Sequence, residues 1–148
     1  METLSALVVY GSTTGTTQLL AVSVGRGLRA AGLDVVVRNA VRVRPQDLSR
    51  YRVVIAGCST WEDGKLQRDF QRLVDQFGSM RLDGVAAAVF GPGSRAYNHF
   101  CHAVDVVEEE FTGRGANLMG PSFRVDGSAY PVREEAQNWA RGLAAQLA

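Results

Sequence analysis

Two runs of the chain, residues 52–58 (RVVIAGC) and 84–90 (GVAAAVF), are apolar almost without interruption. A strand with one face in water alternates apolar and polar side chains, whereas these runs offer almost nothing to water on either face. They therefore require a parallel sheet covered by helices on both sides. Residues 6–10 (ALVVY) and 33–37 (LDVVV) are shorter runs of the same character, and residues 116–119, continuing through 122–125, supply a fifth. Between the runs the apolar spacing turns helical. Leu19, Leu20, Val22, Val24, Leu28 and Ala31 precede Gly32; Phe70, Leu73, Val74 and Phe77 precede Gly78; Phe100, Cys101, Val104, Val107 and Phe111 precede Gly113. A glycine just past the last apolar turn is a common helix stop. The chain is expected to close with a helix over residues 131–147, where Pro131 suits a first-turn position and Trp139, Leu143 and Leu147 form the apolar stripe. Residues 39–51 read as a connection containing Pro45 and a brief helical turn at Gln46-Asp47-Leu48. Strict alternation without repeat or linker predicts one α/β domain over residues 1–148. Its expected form is a doubly wound five-stranded parallel sheet of order 2-1-3-4-5 with helices on both faces.

In such a sheet ligands bind outside the carboxyl ends of the strands, at the switch in strand order. Three loops lie there: residues 11–17, 59–65 and 91–97. The first, Gly11-Ser12-Thr13-Thr14-Gly15-Thr16-Thr17, carries five hydroxyls and two glycines between a strand and a helix start. Unpaired N–H groups and the positive end of the helix dipole make such a place favourable for an anion. It contains no Lys or Arg and matches neither GxxxxGK[ST] nor GxGxxG, so a terminal monophosphate fits better than a triphosphate with magnesium. A Ser/Thr-rich turn with a good helix cap is the alternative. The second loop presents Trp61 and the third Tyr97, which together suit a flat ligand. Trp61 also reads as a half-buried packing residue at a loop base, although the polar Glu62-Asp63-Gly64 that follow favour exposure. The turn-rich residues 91–97 are expected to continue neither strand nor helix.

Composition narrows the function. With 46% hydrophobic and 21% charged residues the chain is that of an ordinary globular protein, and no apolar run approaches the roughly 20 residues of a membrane span. The first residues lack a basic region, so a cytoplasmic location without a targeting segment is expected. The sixteen Lys and Arg are spread along a chain of net charge +1, which argues against a nucleic-acid surface. Cys58 and Cys101 are far apart in apolar patterns and form neither a disulfide framework nor a metal spacing. His99 and His102 stand three apart with Cys101 between them, which a polar helix face explains better than a metal site. Glu108-Glu109-Glu110 reads as a solvated face that could also dock a basic partner. No GxSxG elbow or CxxC pair supports hydrolase or thiol chemistry.

The runs Val9-Tyr10 through Thr17, Gly57-Cys58-Ser59-Thr60-Trp61, Phe90-Gly91-x-Gly93 with Tyr97, Phe100-Cys101-x-Ala103-Val104-Asp105 and Arg124-Val125-Asp126-Gly127 resemble those of short-chain flavodoxins, small FMN-binding electron carriers. They span most of the chain. The resemblance implies that Ser12, Thr13, Thr14, Gly15, Thr16 and Thr17 bind the FMN phosphate, and that Ser59 and Thr60 support that loop and the ribityl chain. It further implies that Trp61 and Tyr97 stack on the two faces of the flavin ring. The backbone from Gly93 through Ser94 to Cys101 would meet the ring's pyrimidine edge, with Gly91 at the base of the same loop. The length and an uninterrupted fifth strand resemble the short-chain group.

Four features depart from that pattern. The chain is near neutral where the family is usually acidic. Glu62 stands where a glycine usually follows the tryptophan and lets a peptide turn toward the reduced flavin. The loop from Trp61 to Leu66 is about two residues shorter than usual. Ser94 and Arg95 replace an acidic residue often found after Gly93. These bear on redox behaviour, because carboxylates disfavour an anionic reduced flavin. One charge at about 8 Å and an effective dielectric near 20 is worth roughly 2 kcal/mol at most, on the order of 90 mV for one electron. A less negative potential for the second one-electron step is therefore expected.

The implied function is electron transfer by noncovalent FMN, with a flavin or ferredoxin-type reductase as donor and a redox enzyme such as a monooxygenase as acceptor. A monomer is expected, with no nucleic acid or membrane partner. The alternatives are an FMN-dependent reductase of a quinone or other small acceptor, and an interaction module of the same fold without redox cycling.

Overall fold

The computed structural model describes residues 3–61, 64–96 and 100–147. The strands are β1 (Ser5–Gly11), β2 (Asp34–Asn39), β3 (Val53–Cys58), β4 (Ala86–Gly93), β5 (Asn117–Leu118) and β6 (Phe123–Asp126). The helices are α1 (Thr16–Ala30), α2 (Pro45–Leu48), α3 (Arg68–Asp75), α4 (His102–Gly113) and α5 (Arg133–Ala145). All pairings are parallel, in the order β2-β1-β3-β4-β5, with β6 also on β4.

The period-two alternation of the strands divides the core. Leu7 and Val9 of β1, Val54 and Ala56 of β3, and Ala87 and Val89 of β4 face Phe70 and Leu73 of α3 and Val104, Val107 and Phe111 of α4. Their neighbours Ala6 and Val8, Val53 and Ile55, and Ala88 and Phe90 face Leu20, Val24 and Leu28 of α1 and Ala136, Ala140 and Leu143 of α5. Both faces are covered, which is why β3 and β4 can be apolar at nearly every position. Phe70 and Phe111 are wholly buried, a burial worth about 1.5–3 kcal/mol each.

The structure corrects three local expectations. Strand β4 runs on through Gly91-Pro92-Gly93, the residues expected to break it. Pro92 lies beyond the last β3–β4 rung, Gly57 with Phe90, so the β3 ladder asks no N–H of it, and β6 pairs along the other edge. The edge strand, expected to be uninterrupted, is split into β5 and β6. Leu118 pairs with Ala87 and Phe123 with Phe90, so the edge takes five steps where β4 takes three, and a cis Gly120-Pro121 bond lies in the interruption. Trp139 of α5 secures the break: its Nε1–H donates to the Pro121 carbonyl at 2.7 Å, and its ring packs 5.7 Å from Phe123 and 6.0 Å from Phe90. Finally, the closing helix begins at Arg133, after a 3-10 turn over Tyr130–Val132 that uses Pro131.

Candidate functional site

The loop after β1 forms an anion cradle by its own bonding. Gly15 adopts φ 92°, a left-handed conformation that suits glycine, and its N–H donates to Ser12 Oγ at 3.0 Å. Helical bonding of α1 starts with Leu19 N–H to the Gly15 carbonyl, so the amides of Thr16 and Thr17 have no intrahelical acceptor. No side chain caps this helix and no acidic residue stands in its first turn. Thr14 and Thr16 bring their hydroxyls within 3.4 Å of one another.

A buried glutamine braces the cradle. Gln67, only 1% exposed, caps α3 by accepting the Phe70 N–H at 3.0 Å. Its amide donates to Thr13 Oγ1 at 3.2 Å and to Asp69 at 3.1 Å. A Cβ on Gly11 would collide with the Gln67 side chain, so the end of β1 and the start of α3 meet through a glycine.

The second loop is a tight turn. Trp61 N–H donates to the Lys65 carbonyl at 2.7 Å, Gly64 N–H donates to the Trp61 carbonyl at 3.1 Å, and Thr60 bridges Leu66. Gly64 holds φ 75°, which closes the turn at little steric cost. Trp61 is 40% exposed. Thr60 Oγ1 accepts the Ala103 N–H at 2.9 Å, which ties the turn to α4.

The third loop leaves β4 beside β6. Gly127 N–H donates to the Gly93 carbonyl at 3.0 Å, and Arg95 N–H donates to Asp126 at 3.2 Å. The Arg95 guanidinium lies 3.9 Å from the Asp126 carboxylate and 4.3 Å above the Phe100 ring. Cys101 is buried beneath this strand end at φ 54°, the one positive φ of a non-glycine among the described residues. Its thiol donates to the Gly91 carbonyl at 3.5 Å, and a Cβ on Gly93 would lie 2.9 Å from its sulfur.

The three loops enclose a cavity of about 510 Å³. Thr13, Thr14, Thr16 and Thr17 line one end, Ser59, Thr60 and Trp61 one wall, and Pro92, Gly93, Ser94 and Gly127 the other. None of the described lining residues is charged. The donor set suits a phosphate, since hydroxyls and free helix amides converge with no opposing carboxylate among the described residues, and the tryptophan offers an aromatic surface beyond it. Another cavity, of about 450 Å³, lies at the opposite strand ends beside Arg81 and Arg114, whose charges are paired with Asp83 and Glu110.

Of the residues singled out from sequence, Ser12, Gly15, Gly91 and Cys101 stand behind the lining. Glu62, Tyr97 and His99 lie outside the described residues, and α4 starts at His102. Sequence reasoning assigned no place at the site to Gln67, Pro92 or Gly127. A polar residue between Leu66 and the helical Phe70 was the signal for Gln67, and the Asp126-Gly127 pair for the far wall.

Burial pushes the Cys58 thiol up to about 12, and burial also raises that of Cys101, so neither supplies a thiolate at neutral pH. Beside the third loop, Arg124 of β6 bonds Asp105 of α4 at 2.6 Å and lies 3.5 Å from Glu108. Burial raises the Glu108 carboxyl, with Arg124 opposing the shift. Among the described residues no cluster of His, Cys, Asp and Glu could hold a metal, and no helix is long and apolar enough to cross a membrane.

Comparison with known proteins agrees with this geometry. The model of the family described as flavodoxin matches residues 8–139. A flavodoxin of Nitratidesulfovibrio vulgaris (strain Miyazaki F) is 40% identical, covering 92% of this chain and 94% of its own length. A flavodoxin of Maridesulfovibrio salexigens is 39% identical, covering 96% and 98%. The crystal structure of oxidised flavodoxin 2 from Bacillus cereus superimposes with a TM-score of 0.91 at 30% identity, covering 96% of this chain and 99% of that one. The chain thus belongs to the flavodoxin family, whose members bind FMN and carry electrons to redox partners rather than act as enzymes.

Proposed function

We propose that the cavity between the three loops holds FMN, with the phosphate on residues 12–17 and the ring beside Trp61. The carrying observation is the cavity itself: hydroxyl and amide donors at one end, an exposed tryptophan on the wall, and no charged side chain among the described lining residues. Bound FMN supplies one-electron acceptance and donation. The protein binds, orients and shields it. Thr13, Thr14, Thr16 and Thr17 donate to the phosphate with the amides of Thr16 and Thr17, while Ser12 and Gly15 hold the loop in shape. Ser59 and Thr60 line the path of the ribityl chain. Gly93 and Ser94 present backbone to the ring edge, and Gly91 and Cys101 fix that backbone from below. Tyr97 opposite Trp61, and Glu62 at the turn, complete the proposed site on the strength of the family pattern.

The carrier operates as a single-domain cytoplasmic monomer between a flavin or ferredoxin-type reductase and an acceptor enzyme such as a monooxygenase. Its net charge of +1 gives it no strong acidic field, so the salt dependence of electron transfer should be shallow.

A redox titration of the FMN-loaded protein tests the carrier role. Two separable one-electron steps are expected, whereas a single two-electron wave would contradict it. Arg95 raises the potential of the second step. Because it is exposed and faces Asp126, Arg95→Gln should make that step more negative by less than about 90 mV. An unchanged or less negative potential would remove Arg95 from the account.

A further inference from the structure

Trp61, Gly64 and Lys65 belong to the turn that follows β3. Two internal hydrogen bonds close it, but neither fixes it relative to the rest of the molecule. The first turn of α4 holds it from outside, alongside the 3.5 Å bond from Thr60 N–H to the Pro92 carbonyl of β4. On the incoming arm, Thr60 Oγ1 takes the Ala103 N–H at 2.9 Å. On the outgoing arm, His102 lies against Gly64: a Cβ built on that glycine would sit 2.9 Å from His102 Cδ2 and 3.4 Å from Cγ, so the imidazole packs on its bare Cα. Consecutive residues of one helix thus hold both arms of the turn.

Asp105 stands beside the ring. His102 Nδ1 is 3.8 Å from Asp105 one turn along the helix, and Asp105 is fixed by Arg124 of β6 at 2.6 Å. Glu108 and Glu109 share the same surface hollow with His102, and Leu118 of β5 closes its far side. The His102 and Asp105 side chains are nearly half exposed, so their mutual attraction is weak, and the packing of the ring on Gly64 carries the effect.

We propose that His102 is a positioning residue for the cofactor site: its ring backs Gly64 and fixes the turn that presents Trp61 to the flavin. The role rests on the proposed FMN site. It follows from preorganisation, since a turn held in place before binding need not be ordered when the ligand arrives.

Hydrogen exchange in the apoprotein reads the clamp without the cofactor. The amides of Trp61 and Gly64 close the turn, and in His102→Ala both should exchange about five-fold faster, with Gln71 in α3 unchanged. FMN titration of the same variant should give about five-fold weaker binding. His102→Phe keeps a ring on Gly64 without the ring nitrogens, and should restore both values. His102→Gln removes the ring but retains polarity and helix propensity, and carries the same expectation as alanine should His102→Ala fail to fold. Wild-type exchange at Trp61 and Gly64 in the ring-less variants overturns the inference, as does faster exchange with unaltered FMN affinity. A wild-type protein that takes up no FMN overturns the proposed function and the role of His102 with it, a failure distinct from the two specific to His102.

Discussion

Thr16→Asp is expected to abolish useful FMN binding while making the apoprotein slightly more stable. Thr16 lines the phosphate end of the cavity at the first position of α1, where the described lining residues offer no compensating cation. A carboxylate within about 5 Å of a phosphate, at an effective dielectric near 20, costs about 3 kcal/mol per unit of phosphate charge. Even after solvent screening of a phosphate carrying more than one charge, dissociation should rise at least about 100-fold. On the empty protein the sign reverses. An acidic residue in the first turn of a helix stabilises it by about 0.3–1 kcal/mol. Thermal unfolding of the apoprotein and FMN titration should therefore move in opposite directions, which separates a damaged site from a damaged fold. Thr16→Asp with unchanged FMN affinity would remove the phosphate from this loop.

Trp61→Ala should weaken FMN binding by about 5- to 150-fold, the range of 1–3 kcal/mol spanned by stacking of a base on an aromatic side chain. Trp61 is 40% exposed, and the hydrogen bonds of its turn run through backbone atoms that alanine retains. The apoprotein should accordingly unfold within about 0.5 kcal/mol of the wild type. Trp61→Phe should recover most of the affinity, because a smaller ring still offers a flat face. Equal binding by the alanine variant, read by flavin fluorescence, would place the ring elsewhere.

The outline of both fold and site was legible because it depends on local pattern. Apolar runs such as VVIA in β3 admit only burial on two faces, and the Ser/Thr loop before α1 announces its helix start by composition. Details set by a neighbouring strand were not legible. Gly91-Pro92-Gly93 has the composition of a turn, yet it remains extended because β6 pairs along it, and nothing within the segment signals that partner. The broken edge strand likewise depends on Trp139, some 18 residues away, reaching the Pro121 carbonyl. Gln67 was hidden for another reason: its three side-chain hydrogen bonds reach Thr13, Asp69 and Phe70, and only the folded chain brings the first of these near. The cavity residues assigned from the three loops met because the strand order places their carboxyl ends together, whereas Gly127 reached the cavity through the extension of β4.

The hydroxyl-rich loop at the start of α1 is the centre of this account, and riboflavin provides its most direct test. Riboflavin has the ring and the ribityl chain of FMN but lacks the phosphate. Titration of the apoprotein with each ligand under the same conditions isolates what the loop contributes. The account predicts FMN bound at least about 100-fold more tightly than riboflavin, as charge-assisted hydrogen bonds from several hydroxyls and amides require. Equal affinity for the two ligands would contradict it.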